Sequence, residues 1–236
     1  TIAHNTVVVD KQSQNQGSQE IADRHHGEPH FFVGSGAIQA MSAFANHHYD
    51  GVKMQRSVFL LSLDDFSHPL IIDLFRLHSE TQHTYDYPLH YDGQFIQTNV
   101  DYQAHLTNRH VMGEQAGYQH LFEAARGTAQ PYSQFTWLQN HSFYTWHSAT
   151  PNCEIVFAQT GANDPQFNLK TRNCLLLRRQ AKQQLFASAF ETHGHFDEGN
   201  ETCKASAPQI TDISIVGYNE KASVIRLSYS SQSHAK

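Results

Sequence analysis

Two imidazoles and three carboxylates fall within the eight residues Glu191-Thr192-His193-Gly194-His195-Phe196-Asp197-Glu198. Such a set can donate to and accept from the hydroxyl groups of a polar ligand, because a neutral imidazole does both near pH 7. Gly194 and Gly199 let the backbone approach a ligand closely, and the segment leaves an apolar run as a surface loop would. His193, His195 and Glu198 are therefore the candidate substrate-binding residues, with a solvated loop as the alternative. A second place for chemistry is His4-Asn5, a polar pair at the mouth of the β-branched run Thr6-Val7-Val8-Val9. Such a pair suits a metal ion or a substrate, while the valines behind it call for a sheet.

Other polar segments have plainer readings. His83 and His90 are seven residues apart, an odd separation that puts them on opposite faces of an uninterrupted strand. They read as hydrogen-bonded strand residues, with Pro88 marking an edge or bulge. Gly161-Ala162-Asn163-Asp164-Pro165 reads as a rigid corner, since Asn and Asp bond their own backbone and proline keeps its predecessor extended. Arg24-His25-His26-Gly27 sits in a polar loop over residues 11–36 and could face an anionic sugar or only solvent. Cys153, Cys174 and Cys203 form no CxxC pair; the first two open apolar runs and read as buried free thiols.

The elements that must carry these residues are short runs rich in Val, Ile, Phe and Tyr, punctuated by turn residues. They predict an all-β fold, a large antiparallel β-sandwich of stacked sheets, as a single domain over residues 1–236. The expected strands are 6–9, 58–63, 70–78, 84–90, 135–138, 143–147, 154–159, 175–179, 185–191, 209–217 and 223–229. The last two are joined by Tyr218-Asn219-Glu220-Lys221-Ala222 as a hairpin. On the final strand Ile225, Leu227 and Tyr229 alternate with Val224, Arg226 and Ser228, which predicts one face on a core. No helix longer than two turns is expected.

The chain's 39% apolar and 16% charged residues suit a soluble globular protein. No apolar run reaches membrane-helix length, and neither a membrane nor a nucleic acid is an expected partner at a formal net charge of -6. Any polyanion would need a local basic cleft. With no initiator methionine or export signal before Thr1, the chain reads as starting within a longer structure.

The opening 1–10, together with His83-Thr84-Tyr85-Asp86-Tyr87-Pro88-Leu89-His90-Tyr91-Asp92-Gly93, Thr160–Leu169 and Glu191-Thr192-His193-Gly194, resembles the C-terminal β-domain of heparinase II/III-like polysaccharide lyases. The middle segments are most like the oligoalginate lyases of polysaccharide lyase family 17. The resemblance implies the C-terminal part of an alginate lyase that cleaves a uronate oligosaccharide or polysaccharide by β-elimination, acting exolytically. It also implies a catalytic tyrosine, Asn and His supplied by an N-terminal α/α toroid, a domain for which this chain has no repeated helices. No catalytic residue is therefore assigned here, and the isolated chain is expected to be inactive. The same resemblance makes His4 a ligand of a structural zinc whose other ligands would precede Thr1, and implies a periplasmic or secreted location. The competing readings are a non-catalytic carbohydrate-binding or scaffolding β-sandwich and a heparin-type lyase domain.

Overall fold

The computed structural model describes residues 1–161 and 171–230. Its strands are β1 (Val8–Val9), β2 (Glu28–Val33), β3 (Ile38–Phe44), β4 (Val52–Leu61), β5 (Leu70–Tyr91), β6 (Gln94–Thr98), β7 (Tyr102–Ala104), β8 (His110–Val111) and β9 (Leu121–Thr128). They continue as β10 (Ser133–Gln139), β11 (Ser142–Ser148), β12 (Glu154–Thr160), β13 (Asn173–His193), β14 (His195–Asp197), β15 (Thr202–Lys204), β16 (Ile210–Tyr218) and β17 (Ser223–Tyr229). The α-helix among the described residues is one turn, α1 (Gln19–Ala22), whose Ile21 N–H donates to Ser18 Oγ at 3.3 Å. Every strand pairing is antiparallel, as the all-β reading requires.

The architecture is organised by β5 and β13, 22 and 21 residues long, which pair along most of their length. The sequence predicts four strands here, and the structure merges them into two. Exposed Glu80-Thr81-Gln82 looks like a break, yet pairing resumes beyond a single irregularity between Ala181 and Gln183. Either side of that irregularity the ribbon has different neighbours. Residues 70–79 of β5 pair with β4, whereas Tyr85 and Asp86 pair with β1. Likewise β13 pairs with β12 over 173–178 and with β11 over 188–193.

The two ends of the ribbon belong to two layers that face each other across one core. Phe75, Leu77 and Phe186 from one end meet Tyr85, Tyr87, Leu175 and Leu177 from the other, with Phe135 and Trp146 between them. Burying each large side chain of this kind contributes about 1.5–3 kcal/mol. Alternation then loads the outer faces. Val7 and Val9 enter the shared core while Val8 turns outward onto Tyr118, Val156 and Leu176. The hairpin β16–β17 covers Leu70, Ile72, Leu185 and Ala187 with Ile210, Ile213, Ile225 and Leu227.

Two further departures from the sequence reading stand out. Residues 11–36 are not a loop throughout, because Glu28–Val33 form β2, the exposed edge strand of the large sheet. Leu121–Thr128, with its Ala-Ala and Gly127, is strand β9, bonded to β12, β7 and β8.

Candidate functional site

His193 ends β13 and points inward. Its ring is 4% exposed, stacks on Phe143 at 5.9 Å, and bonds Thr145 Oγ1 (2.8 Å) through Nε2 and the Ala205 carbonyl (3.0 Å) through Nδ1. Both ring nitrogens are engaged, so His193 holds the loop to the sheet. Gly194 then takes φ +58, and a Cβ there would stand 2.3 Å from the Ala205 carbonyl oxygen, so only glycine fits this reversal. His195 emerges exposed on the other side of it.

The structure brings His195 and Glu198 together with a residue the sequence reading missed. His141 lies 6.0 Å from His195, ring to ring, and its Nδ1 is 3.7 Å from Glu198 Oε1. Asn140 and His141 form a two-residue turn between β10 and β11, with φ 49 and 67. An Asn-led pair between two strand runs is the signal that could have located it. The Phe196 N–H donates to the His141 carbonyl at 2.8 Å, which fixes the spacing of the two loops. Asp197 is occupied locally: Asn200 and Gly199 donate to its carboxylate and hold it below the ordinary carboxylate range. The resulting surface of two imidazoles and a carboxylate can exchange hydrogen bonds with hydroxyls.

At the opening, Asn5 is a connector. The His90 N–H donates to Asn5 Oδ1 at 2.7 Å, and the His90 ring bonds the Ile2 carbonyl at 2.8 Å. Burial pushes the His90 imidazole below its ordinary value. His83 instead bonds Asp10 at 2.6 Å and Thr81 at 2.9 Å, so the two histidines have separate partners. His4 is exposed, and its ring makes no hydrogen bond among the described residues. A free imidazole nitrogen fits one position of a zinc shell. Among the described residues no three His, Cys, Asp or Glu side chains converge on such a centre.

The Tyr85-Asp86-Tyr87 segment is committed to the interior. Asp86 is fully buried, accepts two bonds from Arg178 (2.7 and 2.8 Å), and accepts a third from the Tyr118 hydroxyl at 2.5 Å. Across the core, Tyr87 donates to Asp73, which Arg56 grips at 2.9 and 2.8 Å. Burial pushes the phenols of Tyr87 and Tyr118 up, and that of Tyr85 up to about 12. A general base must be reachable and ionisable near the working pH, and these phenols are neither. Cys153 and Cys174 are buried free thiols, each pushed up to about 12 by burial, and Cys203 is exposed. The Asn163-Asp164-Pro165 corner lies outside the described residues.

Comparison with known proteins follows the same lines. The family described as Heparinase II/III-like, C-terminal matches residues 1–211. An exo-oligoalginate lyase of Saccharophagus degradans is 33% identical over 95% of this chain and 31% of its own length. An alginate lyase of Stenotrophomonas maltophilia is 34% identical over 90% of this chain and 29% of its own length. The chain thus spans about three-tenths of these relatives. Among solved structures, a heparinase III gene product superposes with a TM-score of 0.63 at 12% identity, covering 98% of this chain and 29% of that one. A crystal structure of heparinase III gives 0.57 at 11%, covering 98% and 28%. At such identities the likeness shows the shared fold.

Proposed function

Since the chain belongs to the heparinase II/III-like C-terminal family, we propose that it is the C-terminal β-domain, folded as one unit, of an alginate lyase acting on oligomers from their ends. The observation that carries this reading is the 33% identity over 95% of the chain to an exo-oligoalginate lyase. Cleavage of a uronate polymer by β-elimination requires that the C6 carboxylate be neutralised, the C5 proton removed and the departing O4 protonated. The buried phenols of Tyr85, Tyr87 and Tyr118 support placing the base outside this chain, on an N-terminal helical domain. His195 and Glu198, joined by His141, would contact the sugar, and His193 would position them through its bonds to Thr145 and Ala205. His4 would provide one nitrogen to a structural zinc. Polymer degradation of this kind suits a periplasmic or secreted protein.

The test is the ultraviolet absorbance of unsaturated uronate formed from alginate oligomers. The protein carrying both the helical domain and this chain releases it, and this chain alone does not. Product from the lone chain would overturn the placement of the catalytic groups.

A further inference from the structure

The chain's net charge of -6 means that a polyanion can be held only where the surface is locally basic. A groove with three cationic side chains meets that condition. It runs between the β16–β17 connection and the sheet formed by β3, β4 and β5, and consists of two adjoining cavities of about 220 and 150 Å³. Arg76 and Gln55 line both, so the Arg76 guanidinium stands at their junction, with Lys53 lining the first cavity and Lys221 the second. Tyr218, 38% exposed, lines the first. This is the combination that binds acidic sugars elsewhere in protein chemistry: a planar donor fork for a carboxylate and an aromatic face for a pyranose ring.

Arg76 is prepared for a ligand. It donates to the Asn219 carbonyl at 2.7 Å and to Gln55 Oε1, and Gln55 is fixed from behind by Ser42 (3.1 Å) and His30 (2.8 Å). These bonds hold the fork while leaving N–H groups unused. No carboxylate among the described residues lies within ion-pair distance of it, although Arg56, Arg126, Arg172 and Arg178 all have one. Burial lowers the affinity of Arg76 for its proton, and Glu220 partly offsets this from the groove's rim. Glu220 itself turns to His78, 3.3 Å from its Nε2. A half-buried cation with no carboxylate in contact is an incomplete arrangement that a ligand carboxylate completes.

The geometry points to a uronate-binding groove in which Arg76, assisted by Lys53 and Lys221, binds the sugar carboxylate and Tyr218 packs on the ring. The identity of the sugar rests on the alginate reading above; the carboxylate chemistry rests on the groove. The test uses the 236-residue chain and D-mannuronate, which has no glycosidic bond to cleave, with mannose as the uncharged control. Nitrogen–proton NMR correlation spectra are recorded through each titration. Mannuronate is expected to shift the Arg76 Nε–H signal and the amides of Gln55 and Asn219, and mannose to leave them in place. Arg76→Gln raises the Kd about tenfold, as loss of a charge-assisted pair of hydrogen bonds does. Because Arg76 also ties down the β16–β17 connection, the double variant Lys53→Gln/Lys221→Gln, confined to exposed side chains, serves as the second test and raises the Kd several-fold. Equal shifts from mannose, or mannuronate shifts confined to other residues, would overturn the groove. If the larger protein releases unsaturated uronate while the groove stays silent, only this inference fails. If mannuronate moves Arg76 but no unsaturated product forms, the lyase reading fails and the groove stands.

Discussion

Arg178 and Arg76 lie on the paired strands β13 and β5, but their surroundings give them opposite roles. Arg178 is paired with Asp86, which also accepts from Tyr118, and lies 3.7 Å from Glu154, so its charge is spent on the fold. Among the described residues Arg76 bonds a carbonyl and an amide, and it lines an open groove. Residue type alone therefore does not mark a binding site in this molecule. The Tyr87–Asp73 and Tyr118–Asp86 clusters are closed within the core, whereas Arg76 keeps its charge available to a ligand.

The largest effect that would break this contrast is at Asp86. Asp86→Ala leaves the buried Tyr118 hydroxyl without its acceptor and Arg178 with only Glu154 at 3.7 Å, and should cost about 3 kcal/mol in urea unfolding. A loss below about 1 kcal/mol would mean that the buried triad is replaceable. The contrast sharpens with a matched pair: Arg178→Gln should cost roughly 3 kcal/mol, and Arg76→Gln under about 1.

A third check uses pH. Burial lowers the His147 imidazole below its ordinary value. Burial also opposes ionisation of Glu191, but the contact with His147 and the N–H donors of Gln209 (2.7 Å) and Ile210 (3.0 Å) outweigh it and hold the carboxyl below its ordinary range. In both cases the unfolded chain takes up the proton first. Stability is therefore full above pH about 6.5, falls as His147 in the unfolded state protonates, and falls again below the ordinary carboxylate range as pH approaches Glu191's folded value. The urea midpoint followed from pH 8 to 3 shows this, and His147→Gln should flatten the upper part of the decline. The smallest effect is chemical: a thiol reagent should label Cys203 alone in the folded chain, and Cys153 and Cys174 only in denaturant.

Strands with one buried face were legible in the sequence. Residues 223–229 are β17 at the expected bounds, and Ser142–Ser148 and Glu154–Thr160 extend the expected strands by a residue or two. What was not legible lacks that alternation. β2 is exposed at all six positions, and the middle of β5 is polar because it spans the passage between layers rather than lying over a core. The loop from Glu191 to Glu198 was recognised, but its composition could not show that His193 turns inward while His195 turns outward across Gly194. His141 and Arg76 were missed for the same reason: each acquires its neighbours from a segment distant in sequence.

The shared strands β5 and β13 impose an order of events on synthesis. Residues 70–91 can pair on one side with β4 and β1 as soon as they are made, but their other edge waits until residues 173–193 have left the ribosome, so both layers wait for the same late segment. Until then that edge of β5 is open, and loop closure over about a hundred residues makes its pairing with β13 slow. This β-domain therefore completes its core only once β13 is available, and the open edge of β5 is exposed to wrong pairing in the interval.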